Sequence, residues 1–257
     1  MATAFDADVV RIHLPILGQE RAFDLPVSSS ASTLSDLLPA ARELSRSAAA
    51  IAVADEEAQG HAVSCHEGCA ACCRQLVPIS VVEARALARA IEALPMERRA
   101  AVRARFAAAV VTLERIGLLD PHAPPGRMML QSRLADPARG WLDVTARYFA
   151  AQIPCPLLED ERCSLYDERP LVCREYLVTT PADRCAELGR ARAVPRAVRG
   201  SEILATAARE LTGEPLPLLP LPLSLEWVEA RGAVLDLETD GENLVNHLIA
   251  AADQVAG

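Results

Sequence analysis

Residues 9–27 alternate loosely between apolar and polar positions around a turn containing Gly18, which predicts a short hairpin. A serine-rich link at 28–32 leads into 34–59, where Leu34, Leu37, Leu38, Ala41, Leu44, Ala48 and Ile51 recur at helical spacing and Gly60 offers a stop. Ser80 followed three residues later by Glu83 is a capping-box pattern and predicts a helix over about 81–94. Pro95 is placed to start the next helix, Met96 to Ile116, with Val102, Phe106, Val110 and Leu113 on one face and Gly117 at its end. Residues 118–140 hold Pro121, Pro124, Pro125, Gly126, Pro137 and Gly140 and read as a long irregular crossing, after which 141–152 is helical again. Pro156 and an acidic turn at 159–161 predict two short extended pieces, and Pro170 suits the first turn of a short helix carrying Cys173. Two or three further helices, without evident chemistry, are expected over 201–212 and 223–255.

Composition narrows this to a mainly α protein. Hydrophobic residues make up 51% of the 257 positions but aromatics only 4%, so the core must be built from Ala, Leu and Val, which favours close-packed helices. The chain is long enough to bury a core without disulfide staples. A net charge of -9 argues against nucleic-acid partners, which require a basic surface. All 26 cationic side chains are Arg, and the absence of Lys excludes Schiff-base chemistry and a P-loop. No apolar run approaches the roughly 20 residues needed to span a bilayer, and the best candidate, Leu216 to Leu225, is broken by Pro217, Pro220 and Pro222. Residues 1–8 lack a basic n-region and an apolar h-region, so a cytoplasmic location is expected.

Chemistry concentrates in the eight cysteines. Cys65, Cys69, Cys72 and Cys73 fall within nine positions, and Cys155, Cys163, Cys173 and Cys185 follow at gaps of seven, nine and eleven residues. In a reducing compartment clustered thiols are metal ligands or redox groups rather than structural disulfides. Cys69-x2-Cys72 presents two thiolates to one ion from a tight turn, and Cys65-x3-Cys69 does so over one helical turn. The adjacent Cys72 and Cys73 are expected to diverge, so that one of them serves a second metal, another corner of a cluster, or chemistry. The second group is too widely spaced to close a site alone and is expected to fold back onto the first, with the helical residues between acting as the returning arm. Arg74, Arg174 and Arg184 each adjoin a cysteine, with Arg169 nearby, and their charge would offset that of a thiolate site. His61 and His66 flank the first group and read as solvated loop histidines.

The combined pattern Cys65-x3-Cys69-x2-Cys72-Cys73, Pro78-Ile79-Ser80, Cys155-Pro156-x-Leu158, Cys163-x2-Tyr166-x2-Arg169-Pro170-x2-Cys173-Arg174-x-Tyr176 resembles the YkgJ-like cysteine-cluster family over about residues 60–190. Members of that family are zinc- or iron-chelating, and the flagellin lysine N-methylases are similar in the cysteine motif. The resemblance implies metal binding through Cys65, Cys69, Cys72, Cys73, Cys155, Cys163 and Cys173, and spacing adds Cys185. It also singles out Tyr166, Arg169, Arg174 and Tyr176, either as donors to metal-bound sulfur or as residues that pack and cap the short helix.

The expected architecture is an irregular cysteine-rich metal-binding core wrapped by helices, with a small N-terminal β-hairpin. Its divisions are a hairpin and helix over 1–60, a cysteine-cluster domain over 61–190 with a helical insertion at 80–152, and a helical extension over 191–257. The leading functional expectation is a protein holding an iron–sulfur cluster or iron that supports redox or group-transfer, methylase-like chemistry. Alternatives are a structural zinc module that binds a protein partner, and a metal-handling or storage protein. No nucleic-acid or membrane partner is expected.

Overall fold

The structure is a computed structural model that describes residues 8–27, 32–127, 137–213 and 218–256. Most of the serine-rich link at 28–32, the start of the apolar run at 216–225 and residues 128–136 of the irregular crossing lie outside the described residues.

Strands β1 (Asp8–Ile16) and β2 (Gln19–Val27) form the expected antiparallel hairpin. Its two turn residues, Leu17 and Gly18, both have positive φ (51° and 76°), the conformation that matches strand twist in a two-residue hairpin. Ile12, Leu14, Ile16, Phe23 and Leu25 are buried on one face, which packs on α1 (Leu38–Ala58) and on the C-terminal helix. A 3₁₀ turn at Leu34–Leu37, with Thr33 and Asp36 in a capping box, precedes α1. The buried stripe of α1 is rich in Ala (Ala41, Ala48, Ala52).

Residues 61–77 contain no helix or strand, and β3 (Pro78–Ile79) then pairs with β6 (Leu219–Pro220). Helix α2 (Val81–Glu92) starts at the predicted capping box: Ser80 Oγ accepts from Glu83 N–H at 3.2 Å, and Glu83 Oε2 accepts from Ser80 N–H at 2.9 Å. Helix α3 (Met96–Arg115) begins after Pro95 as its N-cap. Helix α4 (Pro137–Ala150) starts four residues before the expected Trp141, because Pro137 occupies its first position, where the missing N–H costs nothing. A small hairpin of β4 (Leu158–Glu159) and β5 (Arg162–Cys163) turns through Asp160 and Glu161, both with positive φ. After it come α5 (Leu171–Glu175), α6 (Gly200–Thr212), α7 (Ser224–Arg231) and α8 (Gly241–Ala256).

The fold is thus mainly helical, with a cysteine-rich core and an N-terminal hairpin. One continuous core joins the hairpin, α1, α2, α6 and α8, and the described part of the proline-broken run lies within it, with Leu219, Leu221 and Leu223 buried.

Three buried glutamates fasten this frame around the second cysteine group. Glu83 Oε1 accepts from Leu171 N–H at 2.7 Å, so the carboxyl that caps α2 also caps α5. Glu175, at the end of α5, accepts from Ser45 Oγ at 2.6 Å and from Gly200 N–H at 2.9 Å. Burial pushes the Glu175 carboxyl above the usual carboxylate range. Glu56 accepts from Arg192 at 3.1 Å.

Candidate metal centre

The first cysteine group is a run of hydrogen-bonded turns. Cys69 N–H donates to His66 C=O at 3.2 Å, Cys73 N–H to Ala70 C=O at 2.9 Å and Gln75 N–H to Cys72 C=O at 3.0 Å, and Gly68 supplies the left-handed residue between Cys65 and Cys69 (φ 84°). The chain folds back onto this run at three points. Cys155 N–H donates to Cys73 C=O at 2.7 Å. Ser64 N–H donates to Val178 C=O at 2.9 Å, while Val178 N–H points at Cys65 Sγ at 3.4 Å. Gln75 Nε2 donates to Cys185 C=O at 2.9 Å. The two cysteine groups therefore share one neighbourhood.

All eight cysteines are free thiols; Cys185 is buried and the others are half-buried. Burial raises the thiols of Cys65, Cys155, Cys163, Cys173 and Cys185, with Cys155 pushed up to about 12 and Cys185 to about 11. Cys72 is the exception: a hydrogen bond from the Cys73 thiol pulls it below the usual thiol range, and the same bond raises Cys73. This corrects the expectation that the adjacent side chains diverge. They lie in a hydrogen-bonded turn, not in an extended strand where successive side chains take opposite faces, so their sulfurs meet.

Among the four arginines singled out, Arg169 alone is felt by several thiols, namely Cys65, Cys72 and Cys163. Its guanidinium lies 4.0 Å from the Tyr166 ring centroid, and its Nε is buried without a hydrogen-bond partner. Arg174 donates from Nε to Arg169 C=O at 3.0 Å and from its terminal amino group to Asp167 C=O, so it braces the backbone before α5. Arg74 pairs with Glu161 at 2.8 Å and Arg184 with Glu187 at 3.3 Å, so both cations meet carboxylates. Burial raises the Tyr176 hydroxyl, which lies near Cys185, Cys72 and Cys65 and hydrogen-bonds to the Gln75 side chain.

His66 is exposed, as expected, with Nδ1 2.8 Å from Glu67 C=O. His61 departs from expectation: its Nδ1 stands 2.9 Å from the buried Glu56 Oε2, without hydrogen-bond geometry, so it faces a carboxyl and not only solvent. Arg105 was not legible in the sequence; it reaches from α3 to donate to Pro156 C=O at 2.8 Å, and its charge is felt by Cys155. Fifty residues separate it from Cys155, and no local pattern marks it among the arginines of α3. An open cleft lined by His66, Glu67, Arg162, Cys163 and Tyr166 leads to Cys163.

Thiols crowded on an irregular loop system and enclosed by a helical frame define a cysteine-cluster, metal-chelating class of protein. Residues 64–187 match the family model CxxCxxCC, titled "Putative zinc- or iron-chelating domain". No curated protein and no solved structure matches the chain significantly. Among the described residues no helix is long and apolar enough to cross a membrane.

The residues fit a soft metal by the chemistry of the donor set, eight unpaired thiols in one neighbourhood with a guanidinium beside them. Among the described residues no three His, Cys, Asp or Glu side chains are already arranged around a common point as an ion requires. The fit therefore rests on donor identity and proximity, and binding must draw the sulfurs together.

Proposed function

We propose that the protein binds iron, as an iron–sulfur cluster or as iron itself, through Cys65, Cys69, Cys72, Cys73, Cys155, Cys163, Cys173 and Cys185, and uses it in redox or group-transfer chemistry in the cytoplasm. The observation that carries this reading is the 2.7 Å bond from Cys155 N–H to Cys73 C=O, which joins two groups of four free thiols where a single structural zinc needs only four. Bound iron would supply electron transfer or activation of a ligand at the metal. The chain's own residues hold and tune it. Arg169 offsets thiolate charge from its seat on Tyr166, and Tyr176 with Gln75 orients the Cys185 loop. Arg174 acts indirectly by fixing the backbone that carries Arg169 and Cys173. The cleft at Cys163 offers a route for a reactant. Purification without oxygen, followed by visible absorption and metal analysis, tests this; a colourless protein holding only stoichiometric zinc overturns it.

One observation favours a second reading, a structural zinc module of an interaction protein. Residues 61–77 bury a single side chain, Ala70, so this segment lacks the apolar packing to hold its turns unaided. Under that reading zinc is bound in closed four-thiolate sites, and its removal unfolds the segment without loss of any catalytic activity.

A further inference from the structure

We infer that the eight thiols divide into two four-cysteine centres, Cys65, Cys69, Cys72 and Cys185 in one and Cys73, Cys155, Cys163 and Cys173 in the other, joined at the Cys72–Cys73 peptide. This rests on the metal-chelating reading and specifies how the ligands are shared.

Backbone bonds sort the thiols. Cys65, Cys69 and Cys72 occupy successive turns of one loop. Cys185 is brought to that loop by Gln75 Nε2 on its carbonyl at 2.9 Å, and the segment leading toward it places Val178 N–H 3.4 Å from Cys65 Sγ. The thiols whose charge Cys185 feels most are Cys72, Cys65 and Cys69. Cys73 is tied to the second group by its backbone, its carbonyl taking Cys155 N–H at 2.7 Å. Cys155 and Cys163 belong to one small hairpin, since Cys155 C=O accepts from Leu158 N–H at 2.8 Å and Leu158 pairs with Cys163. Cys173 rides on α5, whose first N–H is held by Glu83 at 2.7 Å, and the thiols nearest it electrostatically are Cys155, Cys72 and Cys163. Only Cys72 is felt on both sides, as a residue at the junction must be.

Two thiolates on neighbouring residues serve one tetrahedral ion only with strain, whereas one to each centre uses both. Two-cluster ferredoxins follow the same logic, with the last cysteine of a run ligating the other cluster. Arg169, reached by Cys65, Cys72 and Cys163, stands between the two sets and offsets charge on both.

The test is cobalt(II) titration of the full chain stripped of metal under argon, read by thiolate-to-cobalt absorption and by native mass spectrometry. The wild type is expected to take two cobalt ions per chain. The same-set double variant Cys69→Ser/Cys185→Ser should keep one, and the cross-set double variant Cys69→Ser/Cys163→Ser should keep none with four-thiolate absorption. Because a variant can fail to fold, the wild type is also alkylated after each equivalent: four thiols should be protected by the first ion and eight by the second. Equal losses in the two double variants, or protection of all eight thiols by one ion, overturns the division while leaving metal chelation intact. No cobalt binding by the wild type overturns both.

Discussion

Helix α1 and the loop at residues 61–77 are consecutive in the chain and are held by opposite means. Of its 21 residues α1 buries eight, spaced to face the hairpin, α5 and α6. The loop buries only Ala70, and its turns are closed by backbone hydrogen bonds and links to residues 155–185. At roughly 25 cal/mol per Å² of apolar surface, burial accounts for the helix and leaves little to stabilise the loop. The contrast teaches that frame and cysteine core answer to different variables: the frame to packing, the core to whatever binds its sulfurs.

Metal removal probes that contrast with the largest effect. Structural zinc contributes about 10–16 kcal/mol to small metal-dependent folds. Chelation should therefore raise amide exchange by orders of magnitude over 61–77 and the adjoining second-group loops, while α1, α6 and α8 stay protected in hydrogen-exchange mass spectrometry. Uniform loss of protection across both regions would erase the distinction.

pH acts on the cysteine core in opposite directions with and without metal. Burial pushes the Cys155 and Cys185 thiols up to about 12 and about 11 in the fold, against about 8.5 in an unfolded chain. The unfolded state thus loses these protons first, so the metal-free protein keeps their contribution below about pH 8.5 and loses it as pH rises through the folded values. Metal binding must displace the same protons, so affinity should rise about tenfold per pH unit for each proton released. Denaturant midpoints of the metal-free chain and competition titrations of the loaded one, both from about pH 8.5 to about pH 10, should slope oppositely.

Glu83→Ala attacks the frame at its contact with the core. It strips acceptors from Ser80 N–H, Ser80 Oγ and the buried Leu171 N–H, and should cost about 3 kcal/mol, more than an ordinary lost cap. Gly200→Ala should cost ~2 kcal/mol by overpacking, since a Cβ there would collide with Ser45 Oγ and stand 2.8 Å from Glu175 Oε1. Urea denaturation measures both. Glu83→Ala should also weaken metal binding, because α5 carries Cys173, whereas Gly200→Ala should mostly spare it.

The same division explains what could be read from the sequence. The capping box at Ser80 and Glu83, the stop at Gly60 and the stripe through Leu38, Ala41, Leu44 and Ala48 are local patterns, and the helices begin or end within a few residues of them. The paired extended pieces around 159–161 were legible from turn chemistry. What escaped depends on contacts between distant residues: β3 with β6, the second use of Glu83 at Leu171, Arg105 beside Cys155, and Glu56 facing His61. The meeting of the Cys72 and Cys73 sulfurs escaped for a different reason, because it turns on whether nine residues form a turn or a strand, which spacing alone does not decide.

The smallest effect is expected at Arg74, where adjacency in sequence and function part company. Arg74 follows Cys73 directly, yet its guanidinium spans to Glu161 at 2.8 and 3.2 Å, and the Glu161 side chain is 66% exposed. Exposed pairs contribute about 0–1 kcal/mol and are screened by salt. Arg74→Ala should therefore move the denaturation midpoint by less than about 1 kcal/mol and leave the cobalt absorption of the loaded chain unchanged. Arg169→Gln, by contrast, removes the cation felt by three thiols and should shift that absorption and lower metal affinity about tenfold or more. If Arg74→Ala alters the spectrum as much as Arg169→Gln does, charge near the sulfurs is set by position along the chain and not by the packing of Arg169 on Tyr166.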